Sequence, residues 1–92
     1  MTIISYKELE KKLWTVSRSS LLRYLSNYKF NKHRVSNELG IRARFLLTDE
    51  FLSRLYSLLL LRNRFEDAKL LKKVFPNFHI EELSIQEFVC KS

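Results

Sequence analysis

Ninety-two residues, 46% hydrophobic and 29% charged, suit one ordered globular domain and exclude a disordered tail. A lone cysteine, Cys90, excludes an intrachain disulfide, and one cysteine with two histidines cannot furnish the four ligands of a structural zinc site. The net charge is +7, and the longest aliphatic run, residues 58–61, falls far short of the roughly 20 residues of a membrane span.

One glycine and one proline argue for helices over a turn-rich β fold. The expected fold is all-α: a compact bundle of five or six short helices containing one or two helix-turn-helix units. Ser5-Tyr6-Lys7-Glu8 is a capping box that opens a helix over 6–14, with Leu9 and Leu13 on one face. Thr15-Val16 makes the turn, and Ser17 caps a second helix over 18–28 with Leu21, Leu22 and Leu25 inward. Asn31 caps a third helix over 32–39, with Gly40 at its end. A fourth begins near Arg42 and pauses at Thr48. Thr48 caps a helix to about residue 62, with Asp49 and Glu50 favourable in its first turn. Asn63 with Glu66 starts another, which Pro76 stops. Ser84 and Glu87 repeat the capping cadence before a short last helix. Any strand at residues 2–4 is incidental.

The charge is unevenly placed. Residues 1–47 hold ten Lys and Arg against three Glu, whereas residues 48–92 hold seven of each sign. The asymmetry points to a polyanion-facing half and a neutral scaffold or association half. A solvated basic surface is the plainer alternative.

Two segments carry a resemblance. Residues 7–25, KELEKKLWTVSRSSLLRYL, resemble the helix-turn-helix of excisionase-like and resolvase-like regulators. That resemblance implies Leu9 and Leu13 in the first-helix core, Val16 closing the turn, and Leu21, Leu22 and Leu25 packing back. It places Arg18, Ser19 and Arg23 toward the DNA groove, where the start of a recognition helix reaches base edges. The departure is Trp14-Thr15, where a single Gly is usual. Residues 31–47, NKHRVSNELGIRARFLL, resemble the Fis-type unit through Asn31, Lys32, Arg34, Ser36, Leu39, Gly40 and Ile41. Arg42 and Arg44 would then begin a recognition helix. Asp49 and Glu50 depart from it, because they would repel phosphate. The nucleic-acid-binding set is therefore Arg18, Ser19, Arg23, Lys32, Arg34, Arg42 and Arg44. An apolar–turn–apolar cadence in a purely structural bundle is the competing explanation.

Tyr24, Tyr28 and Phe30 stand among basic residues and read as core in preference to base-stacking platforms. His33, in a basic helix, is expected to touch phosphate or solvent, and His79 to lie in a loop. No catalytic constellation, metal site or cofactor motif is present in the sequence. Leu55, Leu58, Leu59 and Leu61 run round their helix and form a candidate association surface for a homodimer. The expectation is a cytoplasmic, non-catalytic regulator that binds duplex DNA. The alternatives are a helical adaptor or inhibitor of phage or mobile-element type, whose basic face meets an acidic protein, and an RNA-binding protein.

Overall fold

Ser5 ends one element and starts the next. In the computed structural model, which describes residues 2–38 and 40–79, it closes strand β1 (Ile3–Ser5) and caps helix α1 (Tyr6–Lys12). Its hydroxyl accepts the backbone N–H of Glu8 at 3.2 Å, the hydrogen bond that an N-cap serine supplies. The described residues then give α2 (Arg18–Leu25), a 3-10 segment over Tyr28–His33, another over Gly40–Arg42, β2 (Arg44–Leu46), α3 (Asp49–Leu61) and α4 (Phe65–Val74).

This overturns the all-α bundle of five or six helices. Among the described residues the fold is mixed, with four α-helices and a two-stranded antiparallel sheet of β1 and β2. The strand at the start of the chain is integral: Ile3 faces Leu46, Ile4 faces Phe45 and Ser5 faces Arg44. The expected helix from Arg42 does not form, and the reason lies in the period. Ala43 and Phe45 are buried while Arg42 and Arg44 are exposed, an alternation of two that suits a strand and not a helix. The expected helix over 32–39 is likewise replaced by a 3-10 segment that ends at His33. Phe30 and His33, three apart, are both buried there, which matches the three-residue turn of a 3-10 helix. The expected last helix and Cys90 fall outside the described residues.

The chain divides into two compact units, residues 1–47 and 48–92. The boundary falls where the charge excess ends.

In the first unit the backbone N–H of Leu47 donates to the Thr2 carbonyl at 2.8 Å and that of Tyr6 to Ala43 at 3.0 Å, extending the sheet at both ends. Ile4, Tyr6, Leu9, Leu13, Leu21 and Phe45 are buried almost completely. Each such aliphatic side chain contributes about 1.5–3 kcal/mol through the water it leaves. The 3-10 segment Gly40–Arg42 packs on α1 and on α2. Gly40 has φ +64, a left-handed conformation that a side chain would strain.

In the second unit Thr48 caps α3 as expected, accepting the Phe51 N–H at 3.1 Å. Asn63 has a different role from the one expected. It ends α3 in the left-handed conformation, φ 58, instead of capping α4. The N–H groups of Asn63 and Arg64 donate to the carbonyls of Leu60 and Leu59 at 3.0 and 2.8 Å, the paired bonds of a Schellman ending. Helix α4 packs on α3, and the chain beyond it returns along α3. There the Ser53 hydroxyl donates to the His79 carbonyl at 2.8 Å and Phe78 meets the Tyr56 ring edge-on. No helix among the described residues is long and apolar enough to cross a membrane.

Candidate nucleic-acid interface

Helices α1 and α2 follow one another, joined by residues 13–17. Leu13 caps α1 by donating to the Leu9 carbonyl at 2.8 Å, and Val16 donates back to Leu13 at 3.0 Å. Val16 is buried in the turn. Trp14 points outward from the turn, with 74% of its surface in solvent. Ser17 caps α2 through the Ser20 N–H at 3.3 Å.

Helix α2 is two-faced. Leu21, Tyr24 and Leu25 are buried, and Leu22 is half-buried. Arg18, Ser19 and Arg23 are exposed. The three groove-facing candidates of the first segment thus share the outward side of an eight-residue helix.

The second segment supplies a different object. Arg34 forms an isolated antiparallel bridge with Phe45, and the Val35 N–H donates to the Arg44 carbonyl at 2.9 Å. The chain therefore goes out and back as a short ribbon beside the sheet. Arg44 is exposed on its returning arm, Arg42 is exposed at the end of the 3-10 segment that leads into it, Lys32 is exposed just before the ribbon, and Arg34 at its base is half-buried. Ile41 is exposed beside Arg42. The ribbon adjoins the end of α2, because Leu22, Leu25 and Ser26 line one small cleft with Arg34, Ala43 and Phe45. His33 is buried, contrary to the expected phosphate or solvent contact. Tyr24 and Phe30 are core, as expected.

Arg18 is not a free cation. Its Nη2 donates to Glu10 Oε1 at 3.0 Å, and its Nε lies 3.3 and 3.2 Å from Oε1 and Oε2. The Tyr6 hydroxyl donates to the Arg18 carbonyl at 3.3 Å. The hydrogen bond from Arg18 holds the Glu10 carboxyl below its usual range, and the same bond raises Arg18. Burial, with the Glu10 carboxylate beside it, pushes Tyr6 up to about 12. Sequence reasoning overlooked Glu10. The signal was available in part: Tyr6 and Glu10 are four apart, on one face of α1. The ribbon was overlooked because its arms are strand-like for only a few residues.

In the second unit Leu55, Leu58 and Leu59 are buried, which removes them from any surface. The proposed association face shrinks to Leu61, 39% exposed, with Phe65 nearby in sequence at 54%. Among the described residues no three His, Cys, Asp or Glu side chains gather as a metal site. Comparison of the chain with family models, with curated proteins and with solved structures gives no significant match.

Proposed function

We propose that this chain is a small, non-catalytic, helix-turn-helix regulator that binds duplex DNA. The observation that carries the reading is the outward side of α2. Arg18, Ser19 and Arg23 stand in solvent on a short helix whose other side is core, in the unit that holds the whole charge excess. A helix so presented fits the major groove, whose width admits it and whose base edges its first residues reach. The Arg34–Phe45 ribbon adds Arg42 and Arg44 beside it, as phosphate contacts that fix register.

The test is fluorescence anisotropy of a labelled duplex with the full chain across a salt series. Each neutralised phosphate contributes about −0.9 to the log–log slope, so binding weakens steeply with salt. No binding of any duplex at low salt overturns the reading.

One observation favours a second reading, a protein partner. Trp14 and Ile41 are exposed apolar side chains on the basic unit, and tryptophan is frequent among the residues that anchor protein interfaces. An acidic partner would then meet the basic unit. Competition by unrelated duplex DNA separates the two readings. Among the described residues of the second unit, Leu61 and Phe65 are the large apolar side chains left exposed for a homodimer, and light scattering at micromolar concentration tests it.

A further inference from the structure

We propose that Arg18 reads a guanine in the major groove and that Glu10 is the residue that positions it for that contact. The inference rests on the duplex-binding reading above and adds the base and the mechanism.

The argument starts from the shape of the guanidinium. Arginine has five N–H donors in one plane, so two carboxylate or base contacts can be made along different edges. Glu10 takes the Nε and Nη2 edge. The Nη1 group has no partner among the described residues, and the side chain remains 66% exposed. The edge left over is the one that pairs end-on. Arg18 is also the first residue of α2, the position from which base contacts are made. Guanine is the base whose major-groove edge offers two acceptors, O6 and N7, to such a fork.

Charge decides between a base and a phosphate. A phosphate contact needs net positive charge and little direction. The Glu10–Arg18 pair has no net charge, and its carboxylate repels phosphate. What the pair keeps is direction, because two bonds to Glu10 fix the plane of the guanidinium. Pre-organisation of this kind strengthens a directional contact by removing the rotamer freedom otherwise lost on binding. Tyr6 completes the support: it is wholly buried, stands beside Glu10 and holds the Arg18 carbonyl.

The experiment is selection of bound duplexes from a random library by the full chain, repeated with Arg18→Lys, Glu10→Gln and the double variant Glu10→Ala/Arg18→Ala. Circular dichroism establishes that each is folded. The wild-type pool should carry a guanine at one fixed position. Replacing that guanine should cost roughly ten- to hundredfold in affinity, the scale of one bidentate contact. Arg18→Lys keeps the charge but not the fork and should lose the preference. Glu10→Gln should do two opposite things. It adds one net positive charge, so binding to unselected DNA tightens and its salt slope steepens by about 0.9, while the guanine preference falls. The double variant should keep the slope and lose the preference. A purely structural brace would lower the melting temperature of these variants and leave the selected bases unchanged. Duplex binding without an Arg18-dependent guanine preference, or a preference that Glu10→Gln leaves intact, overturns this proposal alone. Failure of the wild-type chain to bind any duplex overturns the DNA-binding reading, and this proposal with it.

Discussion

The backbone N–H of Val35 donates to the carbonyl of Arg44 over 2.9 Å, one residue beyond the Arg34–Phe45 bridge. That bond closes the ribbon at its base and fixes where the exposed Arg44 side chain leaves the backbone. Val35→Pro removes the donor. It should lower the stability of the first unit by more than about 1 kcal/mol, because the lost bond is joined by the fixed φ of the proline ring and its restriction of Arg34, read by urea unfolding. On the duplex-binding reading proposed above, DNA affinity falls with it, because Arg44 loses its fixed placement.

Arg42 and Arg44 are both exposed, so replacing them should not unfold the chain, and on the proposed duplex-binding reading it weakens binding. If each neutralises one phosphate, Arg42→Ala/Arg44→Ala makes the log–log salt slope shallower by about 1.8. The circular dichroism spectrum should stay unchanged. An unaltered slope would make the ribbon a structural feature only.

Asn63 ends α3 at φ 58. Alanine there carries the full penalty of the left-handed conformation, about 1 kcal/mol, whereas glycine avoids it. Thermal unfolding should therefore rank Asn63→Gly at or above wild type and Asn63→Ala below it.

Leu55 is wholly buried and Leu61 is 39% exposed, although both lie on α3. Leu55→Ala should cost about 2–5 kcal/mol. Leu61→Ala should stay within about 0.5 kcal/mol. Equal effects in denaturant unfolding would contradict the placement of α3.

Tyr6 gives an alkaline limb to stability. Its folded value, about 12, lies above the ordinary 10.0, so the unfolded chain gives up this proton first. The stabilisation is complete below pH 10 and is lost as pH rises toward 12, by an amount on the order of 2 kcal/mol. The difference between wild type and Tyr6→Phe across that window isolates it. The Glu10 carboxyl, held below its ordinary 4.5 by Arg18, has the opposite sign. Its contribution is present above that pH and lost as the carboxyl is protonated.

What was legible in the sequence was local. Ser5, Ser17 and Thr48 each cap the helix expected of them, because a cap is a bond between residues three apart. The inward side of the first two helices was legible for the same reason, since Leu9, Leu13, Val16 and Leu21, all buried, lie on contiguous turns. What escaped was non-local. Ile4 and Phe45 look incidental alone and become a sheet only as partners. Arg42 and Arg44 read as the start of a helix until Ala43 and Phe45 turn inward between and beside them. The same limit hid Glu10, eight residues from Arg18 across a turn. In the second unit, Asn63 satisfied two rules at once, and the helix end took precedence over the helix start.

The pairing of Ile3 with Leu46 also orders events in time. During synthesis β1 leaves the ribosome long before its partner, and no shorter nascent chain can complete the sheet. Helices α1 and α2 close with local bonds, whereas the sheet waits for a loop that spans most of the first unit. Until Phe45 arrives, Ile4 has no cross-strand neighbour to shelter it. Translation that stalls before β2 would therefore leave an apolar segment open to chaperones or to misassembly, and the final strand would set the pace at which the unit matures.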